Sequence, residues 1–173
     1  SLTAAGLKDK CMLGVVYRNP ACKYKIDLCF KDLSMPRVFE WNLMHQSGLE
    51  NFCFDIDGVL CRNPNNNEND DGPRYKEFLK NVPALHSPSY EIGWLVTNRL
   101  ERYRKETEAW LKSNNIKYKQ LVMLNLSSAA ERRNLINKAY FKAEIYKKSN
   151  ATLFVESSCK QAEEIAEISG KCV

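Results

Sequence analysis

From residue 51 onward, short apolar runs alternate with stretches of helical periodicity. Asn51-Phe52-Cys53-Phe54-Asp55-Ile56 is an apolar run that ends on a carboxylate. Ile92-Gly93-Trp94-Leu95-Val96 is a second and ends in Thr97. Leu121-Val122-Met123-Leu124 is a third, and Ala151-Thr152-Leu153-Phe154-Val155 is a fourth, ending in Glu156. Runs of this length, rich in β-branched and aromatic residues, predict buried strands. Between the first two, Arg74 to Lys80 predicts a short helix. After the second, Leu100, Tyr103, Thr107, Trp110 and Leu111 fall on one helical face. Glu101/Lys105 and Glu108/Lys112 are i,i+4 pairs on its wet side. Ser128 and Glu131 make a capping box that opens a helix running to about Lys148. Ser158 and Gln161 open a last helix, lined by Ala162, Ile165, Ala166 and Ile168 and closed by Gly170. Alternating strands and helices predict βαβ units, hence an α/β fold with a parallel sheet and helices on both faces.

Residues 1–50 read differently. Leu13 to Tyr17 and Tyr24 to Phe30 are strand candidates around an Asn19-Pro20 turn. Met35 to Asn42 carries large apolar groups without clean periodicity, which predicts a strap across the next domain. The boundary is set at 50/51: an N-terminal extension over 1–50 and a core domain over 51–173. Arg62 to Gly72 is an Asn-rich, acidic polar loop, and within it the Asn65 to Asp71 cluster lacks the EF-hand pattern of a calcium loop and predicts a mobile tip.

Composition narrows the class. Of 173 residues, 44% are hydrophobic and 27% charged, which excludes a wholly disordered or collagen-like chain. The net charge of +5 is too weak to imply nucleic acid by itself. No apolar run approaches the ~20 residues of a membrane span, and no signal segment opens the chain. The seven cysteines are odd in number and show no C-x-x-C spacing. They predict a reducing, cytoplasmic setting with neither a disulfide framework nor a zinc site. The missing initiator Met, and a closing Gly170-Lys171-Cys172-Val173 that reads as a helix stop running into a strand, suggest a piece of a longer protein.

In a parallel sheet the chemistry sits outside the carboxyl ends of the strands. The residues there are Asp55, Asp57, Thr97, Asn98 and Glu156. So many acids at strand ends are costly without a cation. Asp55 and Asp57 are two apart and share a face in extended chain. Their repulsion calls for a metal or a shared proton, and hard oxygens without a nearby His suggest Mg²⁺.

Phe54-Asp55-Ile56-Asp57-Gly58-Val59-Leu60 resembles the nucleophile motif of the haloacid dehalogenase (HAD) superfamily, D-x-D-G-(V/T)-(L/I). Leu95-Val96-Thr97-Asn98 is similar to its second motif. Lys142 is the choice for the third-motif lysine, with Lys138 as the rival, and Leu153 to Ser158 is similar to the fourth. The resemblance covers roughly residues 51–173. It implies a three-layer sandwich around a mainly parallel, Rossmann-like sheet, and a Mg²⁺-dependent phosphomonoester hydrolase. In that scheme Asp55 is the nucleophile and Asp57 the acid and base. Thr97 and Lys142 stabilise phosphoryl charge, and Asp55, Asp57 (through its carbonyl) and Glu156 hold the metal. The chain departs from the pattern at the fourth motif, where Glu156, Ser157 and Ser158 stand in place of one or two Asp residues. Each feature also has an ordinary explanation: Asp-Gly is a common turn, Thr97 a strand residue, Lys142 a solvated helix lysine, Glu156 an inert acid. Their order along the chain is what weighs against those explanations.

Superfamily members choose substrates with a cap inserted after the first motif or between the second and third. Here Thr97 follows Asp57 by 40 positions and Lys142 follows Asn98 by 44, too few for a folded cap. The expected site is open, with a phosphorylated small molecule as substrate and an upstream domain or another subunit as lid. Asn98 and Arg99 are the substrate-binding candidates. Val96 to Arg99, with Thr107, Trp110-Leu111, Ile116 to Tyr118 and Leu121 to Met123, is also similar to the 3′-phosphatase part of polynucleotide kinases, which makes polynucleotide ends the alternative substrate, with Arg99 and Arg104 meeting a phosphate. Val15 to Asn42 is similar to the tail of a phosphoribosyltransferase domain, as in bacterial fusions of such a domain to a HAD-like one. A non-catalytic phospholigand-binding module is the reading from another class.

Overall fold

In the computed structural model, residues 5–7, 10–34, 38–128, 130–131 and 138–173 are described. The chain divides into two units, Ser1–Glu40 and Trp41–Val173. In the first, β1 (Gly14–Arg18) and β2 (Leu28–Asp32) pair in parallel, with Gly14 opposite Leu28 and Arg18 opposite Asp32. The expected turn at Asn19-Pro20 therefore does not fold one strand back on the other. The chain from 19 to 27 crosses over and restarts in the same direction. Arg18 closes the pair with two bonds to Asp32, Nε to Oδ1 at 2.7 Å and Nη2 to Oδ2 at 2.9 Å. The Tyr17 and Phe39 rings stack at 5.0 Å. Residues 35–37, at the start of the expected strap, lie outside the described residues.

The second unit holds a four-stranded sheet: β3 (Phe52–Phe54), β4 (Ile92–Leu100), β5 (Tyr118–Leu124) and β6 (Leu153–Val155). All pairings are parallel, in the order β5-β4-β3-β6. The helices are α1 (Pro73–Asn81), α2 (Arg104–Ser113), α3 (Lys138–Lys148) and α4 (Cys159–Ser169). Successive strand residues point opposite ways, and the core sorts accordingly. Phe52, Phe54 and Leu95 pack with Tyr75, Phe78 and Leu79 of α1 and Trp110 and Leu111 of α2. Cys53, Val96 and Phe154 pack with Ala139, Ala143 and Tyr146 of α3 and Ile165 of α4.

Three expectations change. The boundary falls at 40/41, because Leu49 is wholly buried and Met44 nearly so in the core of the second unit. Residues 47–51 form a 3₁₀ turn pressed onto β4: a Cβ on Gly93 would stand 2.2 Å from the Glu50 carbonyl oxygen. Glu101 and Glu108 both pair with Arg104, between them in sequence, instead of with Lys105 and Lys112. And β4 runs past Thr97 to Leu100, with a register shift between those residues.

The Ser128 cap forms, accepting from the Glu131 N–H at 3.1 Å, while the Glu131 carboxylate takes the N–H and hydroxyl of Ser127. Residues 132–137, the middle of the expected helix, lie outside the described residues. Ser158 caps α4 and Gly170 closes it at φ 70°, both as expected. All seven cysteines are free thiols. Among the described residues no helix is long and apolar enough to cross a membrane.

Candidate active site

From β3 the chain proceeds to β4 and β5 on one side, then returns to place β6 on the other. Where strand order reverses like this, the strand ends splay and leave a crevice. Asp55 follows β3 directly, and its N–H donates to the Val155 carbonyl of β6 at 3.0 Å. A tight turn comes next. The Ile56 carbonyl accepts from Leu60 at 2.8 Å and from Cys61 at 3.1 Å, and the Gly58 N–H donates to Cys61 at 2.6 Å. Gly58 is required twice over. Its φ is +88°, and a Cβ there would stand 2.2 Å from Ser157 Oγ.

Asp55, Asp57, Thr97, Asn98, Lys142 and Glu156 all line one cleft of about 280 Å³. Lys142 reaches it from α3 and is 1% exposed. Its ammonium lies between two carboxylates, 2.7 Å from Asp55 Oδ2 and 2.6 Å from Glu156 Oε2. Of the rival Lys138 the side chain lies outside the described residues. The remaining oxygens are also held. Asp55 Oδ1 accepts from the Ile56 N–H at 2.8 Å, and Glu156 Oε1 from the N–H groups of Ser157 at 2.9 Å and Ser158 at 3.1 Å. Burial pushes the Asp55 carboxyl up; Lys142 pulls it back, and Glu156 and Asp57 push it further up. For Lys142 burial acts downward, but the two carboxylates outweigh it and the ammonium is held above its ordinary range.

Asp57 faces the cleft at one edge and Arg99 at the other. Arg99 Nη2 donates to Oδ1 at 2.7 Å, and Nε lies 3.2 and 3.1 Å from Oδ1 and Oδ2. The Arg99 side chain is completely buried and is absent from the cleft lining. The sequence reading set Arg99 on substrate, whereas the structure sets it on Asp57. Asn98, its neighbour, does line the cleft, 3.4 Å from Gln161 Oε1. Thr97 is wholly buried, and its Oγ1 accepts the Arg99 N–H at 3.2 Å.

Sequence reasoning missed Asn63, Asn69 and Tyr75 on one wall, and Gln161 on the other. Gln161 was read only as a capping partner. Its N–H does meet Ser158 Oγ at 3.4 Å, but its side chain turns inward, 3.4 Å from Lys142 Nζ. Asn65 to Asp71 is expected to be a mobile tip, yet Asn65, Glu68 and Asp70 are tied by hydrogen bonds to Arg62, Gly72 and one another's backbone. Arg62 grips Glu68 with two bonds, at 2.7 and 2.6 Å, and holds its carboxyl down to about 2. Asp70 accepts from Gly72 at 3.0 Å and Tyr75 at 2.9 Å. Burial works against its ionisation, but these N–H groups and Arg74 hold it down to about 2.

Charge decides whether a divalent ion suits the cleft. Two carboxylates share one ammonium and Asp57 is matched by Arg99, so one negative charge is left over. Among the described residues, no three Asp, Glu, His or Cys side chains converge on one point as a metal site. Mg²⁺ needs fewer, since it takes one or two carboxylates and fills its shell with water and phosphate oxygens. Asp55 and Glu156 fit that role. The Asp57 carboxylate, turned to Arg99, does not, which leaves its backbone carbonyl.

Neither the family models, the curated proteins nor the solved structures compared with the chain give a match.

Proposed function

We propose that the chain is a Mg²⁺-dependent phosphomonoester hydrolase of the HAD type, a three-layer, Rossmann-like domain without a large cap, acting on a small phosphorylated metabolite through an aspartyl-phosphate. One observation carries this reading. Asp55, Asp57, Thr97, Lys142 and Glu156 come from four separated stretches of sequence and line a single cleft.

Each residue has a step. An Asp55 oxygen attacks phosphorus in line, the P–O bond to the leaving alcohol breaks, and the acid form of Asp57 gives its proton to the departing oxygen, becoming the carboxylate. Water then attacks the same phosphorus and Asp57 takes its proton. The bond to Asp55 breaks, and inorganic phosphate leaves. Thr97 and Lys142 offset charge on the equatorial oxygens. Asp55, Glu156 and the Asp57 carbonyl would hold Mg²⁺, which would supply further positive charge there.

The cleft suits a small substrate better than a polynucleotide end. Both arginines that reading relied on are engaged, Arg99 by Asp57 and Arg104 by Glu101 and Glu108. The position of Lys142, on both carboxylates that would hold Mg²⁺, favours one second reading, a phospholigand-binding module with weak turnover. Hydrolysis of nitrophenyl phosphate, with and without Mg²⁺, by the wild type and Asp55→Asn separates the two. Mg²⁺-dependent turnover lost in the variant supports the enzyme. Stabilisation by beryllium fluoride and Mg²⁺ without turnover supports the module, and neither effect rejects both.

A further inference from the structure

A wholly buried guanidinium at the back of a cleft is costly unless it is matched, and it is rarely there for packing alone. Arg99 is placed by the register shift in β4 between Thr97 and Leu100. Bulges of this kind re-aim side chains next to functional sites. Here three successive residues are used in two directions: Thr97 and Asn98 line the cleft, and Arg99 turns beneath it. Its surroundings leave little freedom. The guanidinium lies over the Trp110 ring at 5.5 Å from the centroid, and Nη2 is 3.2 Å from Cys61 Sγ. Trp110 is itself pinned, its indole N–H donating to the Val82 carbonyl at 2.6 Å. Nη1 is buried without a hydrogen-bond partner. The fork is thus committed to one carboxylate, touching both Asp57 oxygens, while Asp57 keeps 17% of its side chain exposed toward the cleft.

Resting on the phosphohydrolase reading, we propose that Arg99 is the positioning residue of Asp57, fixing from behind the carboxylate that exchanges a proton with the leaving oxygen. Arg99 touches no substrate. It acts by removing the rotational freedom of Asp57 and leaving only the cleft-facing edge available. A planar fork does this where a point charge cannot, so lysine is a poor replacement.

The dependence on leaving group tests this. Nitrophenolate departs without a proton, whereas an alkyl alkoxide needs one, so in the first half-reaction, release of the leaving group, only alkyl phosphates require a well-placed Asp57; the later attack of water is common to both. The proteins are the wild type, Arg99→Met, which keeps the stem against Trp110, and Arg99→Lys, all checked for folding by circular dichroism. In Arg99→Met, the single-turnover rate of alcohol release from an alkyl phosphate is expected to fall about 10²-fold. The single-turnover rate of nitrophenolate release stays within about threefold, and Arg99→Lys recovers part of the rate of alcohol release. Equal losses in the two release rates, or no loss in either, overturn the proposal. A crystal structure of Arg99→Met, or of Arg99→Lys if the first does not fold, gives a readout independent of turnover. Asp57 in an altered or multiple position supports the proposal, and Asp57 unmoved overturns it. A wild type silent on both substrates rejects the phosphohydrolase reading instead.

Discussion

At the scale of single residues, the cleft depends on how few charges neutralise one another. Among the described residues, Lys142 is the only cation between the buried carboxylates of Asp55 and Glu156. Removing it strands both, so Lys142→Met is expected to lower unfolding free energy in urea by about 3–5 kcal/mol. Adding Glu156→Gln to that variant should return part of the loss, and no recovery would mean the two carboxylates are not in competition for the ammonium. Gly58→Ala should cost at least ~1–2 kcal/mol from its backbone alone, with Ser157→Ala in the same chain relieving the contact but not the strain. Asp55 and Asp57 were legible in the sequence because a strand running into an Asp-Gly turn is local. Lys142 was legible only through its order along the chain. Arg99 was not, because its direction is set by a bulge in β4 that no residue pattern between Thr97 and Leu100 announces.

At the scale of elements, the four strands and four α-helices described in the second unit all overlap stretches the sequence pattern marks, and the differences lie at their ends and in what joins them. The mobile tip expected over Asn65 to Asp71 is tied down for a physical reason. It has no apolar residues to bury, and its order comes from Arg62, Glu68, Asp70 and Asp71 bonding to one another, to backbone N–H groups and to Arg102 and Tyr103. That order carries a pH signature. The folded carboxyls of Glu68 and Asp70 lie near 2, below their ordinary values of 4.5 and 3.8. Their stabilising effect is therefore complete above about pH 4.5 and is lost as pH falls toward 2. Thermal melts between pH 5 and pH 2 should show a shallower acid loss in Glu68→Gln/Asp70→Asn than in the wild type, and identical acid limbs would contradict it. The direction in which β1 pairs with β2 is not legible in the sequence, because two short strands around an Asn-Pro turn suit a hairpin or a parallel pair. Only the crossover from 19 to 27 distinguishes the two.

For the whole molecule, the boundary at 40/41 makes a simple claim about stability. Residues 41–173 should unfold as one cooperative transition, and residues 51–173 should be weaker by about 2–5 kcal/mol for want of the buried Leu49 and Met44. Equal stability of the two would return the boundary to 50/51. Within that unit, the reversal of strand order sets β3 beside β6 and so brings Asp55 and Glu156 to one ammonium, although they are distant in sequence. The central claim, that Asp55 is a nucleophile toward phosphorus, has a direct chemical test. The protein is quenched during turnover of a phosphomonoester with Mg²⁺, reduced with borohydride and mapped by mass spectrometry. An aspartyl-phosphate at residue 55 is converted to homoserine, and homoserine at that position alone is the result predicted. Phosphate released while Asp55 stays unmodified in the trapped protein would contradict the account.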